Sequence, residues 1–282
     1  MGKFLDAGLE AVIKHSDMII GYLFPQFEAF DKYKDSIRND DKLSDSEKAI
    51  KLHTARRDFK HIVNQSKIAQ IAIESAKEGT DFSDKSGVNE DFIDRFMDSA
   101  KFVSDEKLQA MWGKVLAGEF EKPNSTPTSI IRILTELTQE QAEAFAILCN
   151  LCVEFQEIDF GRVMKYIMLN GYHNGEETFG LTFGMLNELD SVGLIKHKTD
   201  NVSCFVVGFR FNQSDVRITY WKDTSIIRTN KDGSIPIGSV FLTDVGYALA
   251  RSVEKKEIPG FFESVKKFLK SQNIEFVEEN DT

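Results

Sequence analysis

Residues 104–145 read SDEKLQAMWGKVLAGEFEKPNSTPTSIIRILTELTQEQAEAF, and this stretch decides the fold. Ser104 is an N-cap residue, and Asp105 and Glu106 put negative charge on the first turn, where the helix dipole favours it. Leu108, Met111, Trp112, Val115 and Leu116 recur at helical spacing and make one apolar stripe. Gly118 stands where the helix should end, with Pro123 beyond it. Thr126 and Pro127 open a second helix carrying Ile130, Ile131, Ile133 and Leu134. Thr138 with Gln141 makes a capping box that predicts a third helix to about Phe155. Three helices on such short connectors must pack on one another. Nothing in the stretch is arranged for catalysis.

The run SDEKLQAMWGKVLAGE, its Pro-containing turn and LTELTQEQAEAF resemble a bacterial and prophage family of unknown function with an SDE..Q..W..ILAGE..P core. That family is distantly similar to the abortive-infection alpha proteins. The likeness extends upstream through Phe59–Ala76 and Val88–Ala100. It implies a scaffold role for Ser104, Trp112, Gly118, Glu119 and Pro123, and it carries over no catalytic residue. Glu119 is expected to hold a helix end or an arginine such as Arg132. Two positions depart from the family pattern: Asp91-Phe92 replaces Asp-Trp, and Asn124 replaces the Gly after the proline. The setting implied is anti-phage defence of the abortive-infection kind, or prophage–host conflict.

At 282 residues the chain suits two domains. Hydrophobic content of 41% and charged content of 28% are those of a soluble globular protein, and 23 phenylalanines predict aromatic-rich cores. A net charge of −10 argues against a nucleic-acid-coating protein, since phosphate binding needs a positive surface. Three cysteines without a signal peptide point to the reducing cytoplasm. No apolar run reaches the roughly 18–20 residues of a membrane span. The amphipathic segment Phe4–Phe24 has a mixed-charge polar face, which suits a packed helix better than a membrane anchor.

The fold expected is α+β and mostly α: a helical domain over 1–137, then a winged-helix-like domain over 138–282 with an enlarged wing and a C-terminal helix. After Pro25 the chain reads as polar to about Leu43. Ser44 and Glu47 cap a long helix over 44–77, whose seam runs Leu52, Ala55, Phe59, Ile62, Ser66, Ala69, Ile73 and Ala76. Another helix of this chain is the favoured cover for the seam, and a second copy is the alternative. The part around Ile68–Ile73 is the expected docking surface, making a homo-oligomer or a protein partner the expectation. The family core spans 88–137, where Asn89 caps a helix carrying Phe92, Ile93, Phe96 and Met97.

Beyond Phe155 come Phe160–Leu169, a turn through Gly171–Gly175 and a helix over about Leu181–Val192, in the order helix, helix, helix, strands. Alternating segments follow at Cys204–Phe211, Val216–Trp221, Ser225–Arg228 and Ile235–Leu242, and Thr243 caps a further helix. LNELDSVGLI before the strands and FLTDVGYALA after them resemble a winged helix. The third helix, however, offers Thr182, Asn187, Glu188, Asp190 and Ser191, and an acidic recognition helix repels phosphate. Nucleic acid is therefore the disfavoured partner.

Other sites read as structural. Cys149 and Cys152 form a CxxC inside an apolar helix, which suits a core better than zinc, so no metal or cofactor is expected. Arg56, Arg57, Lys60 and His61 form a basic cluster that could meet an acidic partner, and a solvated helix face is the plainer reading. Three function classes follow. A non-enzymatic cytoplasmic interaction protein is preferred over a winged-helix transcriptional regulator, and both over an enzyme with a dispersed site.

Overall fold

The computed structural model of the chain describes residues 27–82, 87–158, 161, 163–169, 179–198, 204–207, 215–229 and 233–277. Segment Phe4–Phe24 and the turn at Gly171–Gly175 lie outside them. The fold is α+β and mostly helical, and the chain divides into two compact units between Gln139 and Glu140. Among the described residues no strand precedes Cys152, and no helix is long and apolar enough to cross a membrane.

In the first unit, α1 (Phe27–Arg38) and α2 (Asp45–Ser75) are joined by a short turn. The Ser44 hydroxyl accepts from the Glu47 amide, and the Glu47 carboxylate accepts from the Ser44 amide at 2.8 Å, so the capping box is reciprocal. The Asn89 side chain caps α3 (Glu90–Ala100), which buries Phe92, Ile93, Phe96 and Met97. Then come α4 (Glu106–Glu121) and α5 (Ser129–Glu136). Ile68, Ala69 and Ala72 of α2 are fully buried, and Gly113 of α4 sits against Ile71. A Cβ on Gly113 would stand 2.5 Å from the Ile71 side chain, so glycine is what permits this close helix approach. Buried amides lock the adjoining turn: Asn64 donates to the Lys101 carbonyl at 2.9 Å, and Gln109 to the Val103 carbonyl at 2.8 Å.

Several boundaries move from the sequence expectation. Asp105, not Ser104, caps α4; its carboxylate accepts from the amides of Lys107 and Leu108, while the Ser104 hydroxyl accepts from Asn64. Gly118 lies inside α4, which continues to Glu121, because an interior glycine weakens a helix without stopping it. The helix after Pro127 starts only at Ser129. The supposedly polar stretch after Pro25 contains α1.

The second unit begins in α6 (Gln139–Cys149) and turns at Asn150 into strand β1 (Cys152–Glu157), well before the expected helix end at Phe155. The Asn150 side chain enforces the turn by donating to the carbonyls of Ala146 and Glu254. Next are β2 (Val163–Ile167), α7 (Phe183–Ser191), β3 (Ile195–His197), β4 (Cys204–Val207), β5 (Asp215–Tyr220) and β6 (Asp223–Arg228). The chain ends with β7 (Ser234–Gly238), β8 (Val240–Leu242), α8 (Asp244–Ala250), α9 (Phe261–Ser271) and β9 (Glu275–Val277). Residues 163–167 are thus a strand where a helix was expected.

A five-stranded sheet runs β2-β1-β5-β6-β9, and β3-β8 and β4-β7 form separate two-stranded ladders, all antiparallel. Alternate residues of β1 and β5 bury Val153, Phe155, Val216, Ile218 and Tyr220, with Phe261 of α9 edge-on to Tyr220 at 4.8 Å. The opposite sheet face is half-exposed and carries cross-strand polar pairs, including Lys165–Glu154 at 3.0 Å and Arg228–Asp215 at 2.8 Å.

Candidate functional site

The first unit offers a groove between α1 and the N-terminal half of α2. Phe30 stacks on Phe59 with ring centroids 3.9 Å apart and planes 1° from parallel, which fixes the two helices. Beside that stack opens a groove of about 510 Å³ lined by Tyr33, Ile37, Ile50, Ala55 and Ile62, with Lys51, Asp40 and Asp58 among its polar groups. Ile50 is 67% exposed, Tyr33 54% and Ile62 40%. These are large apolar groups to leave in water, at about 25 cal/mol per Å² of apolar surface.

The reason is length. α2 extends about 46 Å, whereas the 16 residues of α4 extend about 24 Å. The C-terminal half of α2 lies under α4, and among the described residues α1 packs on the N-terminal half. Ile68 is fully buried and Ile73 half-buried, so the exposed large apolar residues of α2 are Ile50 and Ile62. The seam is covered chiefly within the chain.

Arg56, Arg57 and Lys60 are exposed on α2 and do not line the groove. Arg57 contacts the neighbouring Asp58 at 3.0 Å. His61 is half-buried and edge-on to Phe102 at 5.0 Å, with Lys101 over the other part of that ring. The four basic residues therefore do not converge on one point.

Trp112 and Glu119 are buried, whereas Ser104 and Pro123 are exposed and Gly118 is half-buried. Trp112 is fully buried against Phe96, ring centroids 4.6 Å apart. Glu119 is buried, and its two oxygens accept from the backbone amides of Asn124 at 2.5 Å and Thr126 at 3.0 Å. It holds the α4–α5 loop rather than an arginine; Arg132 pairs with Glu136 at 2.8 Å. Asn124 has φ 59, a conformation open to Gly and Asn. Pro123 packs beside Gly87, whose added Cβ would be 3.1 Å from the proline ring.

The Cys149–Cys152 pair spans a helix end and a strand start rather than lying in one helix. Among the described residues no group of three His, Cys, Asp or Glu side chains could hold a metal.

A family described as "Protein of unknown function (DUF2806)" matches residues 52–266. The chain belongs to that family. Its match takes in most of α2, the whole motif region and the second unit through much of α9, while α1 precedes it. No curated protein and no solved structure matches the chain.

Proposed function

We propose that this member of the family is a non-enzymatic interaction protein that assembles through the α1–α2 groove. Its setting is bacterial anti-phage defence of the abortive-infection kind, or prophage–host conflict. The observation that carries the assembly reading is the set of exposed apolar side chains lining the groove, Tyr33 of α1 with Ile50 and Ile62 of α2. The occupant is a second copy of the chain. Lys51 and the carboxylates Asp40 and Asp58 share the groove, so two grooves meeting about a two-fold axis can match opposite charges around an apolar centre. The defence setting rests on the motif likeness alone.

Light scattering on the purified chain tests this. The parent should show a dimeric mass at micromolar concentration, and Ile50→Glu with Ile62→Glu should give a monomer with an unchanged thermal midpoint, because both residues are exposed. In phage-challenged cells, the double variant should lose any protection the parent confers. A strictly monomeric parent overturns the reading.

A DNA-binding regulator is the second reading, favoured by one feature: α7 leads into β3, and β3 pairs with β8 immediately before α8, as the wing of a winged helix would. We therefore read the second unit as winged-helix-like, with the β4–β7 region as its enlarged wing. The polar groups of α7 argue for protein contact over DNA. Thr182 caps the helix, Asn187 contacts the His197 ring at 3.1 Å, and Asp190 accepts from the His197 amide at 3.0 Å. Burial pushes the His197 pKa below its ordinary value, with Asp190 opposing, so the ring carries little charge at neutral pH. No sequence-specific duplex shift is expected at physiological salt, and any residual binding should weaken steeply as salt rises. A salt-resistant, sequence-dependent shift at nanomolar protein would establish the regulator instead.

A further inference from the structure

The second unit contains a pocket that the assembly reading does not use. At one corner of the five-stranded sheet, Cys152, Glu154, Lys165, Thr219, Trp221 and Lys255 line a cavity of about 290 Å³.

Trp221 is the first residue of the two-residue turn joining β5 to β6, closed by the Tyr220–Asp223 pair. Its φ is 55, a left-handed value at which a bulky side chain is strained by about 1–2 kcal/mol and at which hairpins ordinarily place Gly or Asn. The ring does not recover that strain by burial, since 47% of the residue is exposed. Strain of this kind persists where something beyond the fold requires the side chain.

Lys165, Lys255 and the Glu154 carboxylate all line the pocket, so one positive charge is left unbalanced. Lys255 and Lys165 both act on the Cys152 thiol. Lys165 shares Glu154, whereas Lys255 has no ion-pair partner among the described residues. The segment carrying Lys255 is held from both sides, because the Asn150 side chain donates to the Glu254 carbonyl at 3.2 Å and accepts from the Lys256 amide at 2.9 Å. The Tyr220 hydroxyl donates to the Asn150 carbonyl and accepts from the Ile258 amide at 2.8 Å. The backbone on either side of Lys255 is thus placed in advance, which lowers the ordering cost of binding. The thiols serve as wall. Burial raises both, Cys149 to about 12, so neither is a thiolate nucleophile at neutral pH.

An exposed aromatic face beside an unpaired ammonium group recognises a planar anion: the ring stacks on a π-face and the ammonium group takes phosphate. The cavity is just under the roughly 300–1,000 Å³ range of small-molecule sites, so it suits a small ligand. We propose that this pocket binds a nucleoside monophosphate, its base against Trp221 and its phosphate on Lys255. The proposal is independent of the assembly reading.

Fluorescence and calorimetry on the full chain test it. Trp112 is fully buried in the first unit, so ligand-dependent quenching reports Trp221. AMP, GMP, CMP and UMP are titrated, with ribose 5-phosphate and adenosine as half-ligands. At least one mononucleotide should quench saturably in the micromolar range, and each half-ligand should bind at least tenfold more weakly. Lys255→Gln should weaken mononucleotide binding at least tenfold. Trp221→Gly, followed by calorimetry, should abolish binding while keeping the parent's thermal midpoint. The proposal fails if no mononucleotide binds up to millimolar concentration, or if ribose 5-phosphate binds as well as the mononucleotides. It also fails if binding survives both substitutions, or if Trp221→Gly lowers the midpoint by more than about 5 °C, which would make the ring structural.

Discussion

Trp112→Ala is expected to lower the unfolding free energy by about 3–5 kcal/mol, as truncation of a large core side chain does. Trp112 is fully buried in the middle of α4, and its ring lies 4.6 Å from Phe96 of α3. The void cannot easily collapse. Gly113, next to it, already holds α4 hard against Ile71, and the Asn64 and Gln109 amides pin the α3–α4 turn through the carbonyls of Lys101 and Val103. Urea unfolding followed by circular dichroism checks the magnitude, and hydrogen exchange should place the lost protection in α3, α4 and the C-terminal half of α2. If the variant unfolds like the parent yet loses its effect in cells, Trp112 contacts a partner and the scaffold assignment is wrong.

What could be read from the chain was mostly local. Ser44 with Glu47, Asn89 and Thr243 act on amides three residues away, so spacing alone identifies them as caps. Ser104 and Asp105 are both good caps, and a tertiary partner chose between them: Asn64 engages the serine, leaving the aspartate to α4. The strand at 152–157 was hidden because its alternation of Val153 and Phe155 with Glu154 and Gln156 overlaps the helical steps Phe145, Leu148, Cys152 and Phe155, and six residues do not separate the two periods. What ends α6 is Asn150, whose partners lie more than a hundred residues away at Glu254 and Lys256.

The groove was half legible. Phe30, Tyr33 and Ile37 recur at helical spacing and signal α1 within an otherwise polar stretch. Which large apolar residues of α2 stay exposed could not be read, since that depends on where α4 lands. The motif carboxylate shows the same limit: Glu119 was identifiable as structural, while its loop amides at Asn124 and Thr126 appear only in the folded chain. The sheet-corner pocket had no local signature. Cys152, Lys165, Trp221 and Lys255 meet there from four separate parts of the chain.

Gly246→Ala is expected to destabilise the second unit by about 3 kcal/mol, the upper end of what overpacking usually costs. Gly246 lies in the first turn of α8, where a Cβ would stand 2.0 Å from the Leu194 carbonyl oxygen and 3.1 Å from its carbon. That obstacle is backbone, so no rotamer change relieves it. The same carbonyl accepts from the Thr243 amide at 3.1 Å, and Ile195, the next residue, pairs with Leu242. Moving α8 away therefore strains the cap of α8 and the β3–β8 ladder together. Alanine's better helix propensity, worth about 1 kcal/mol over glycine, opposes the loss without cancelling it. Gly118→Ala is the control of opposite sign. Gly118 is also inside a helix, but its Cβ would meet nothing within 4 Å, so this change should be neutral or stabilising by up to about 1 kcal/mol. Urea unfolding of the two variants reads both effects against the parent. Equal stabilities for the pair would mean that α8 does not close on Leu194, and the β3–β8 ladder would lose its anchor.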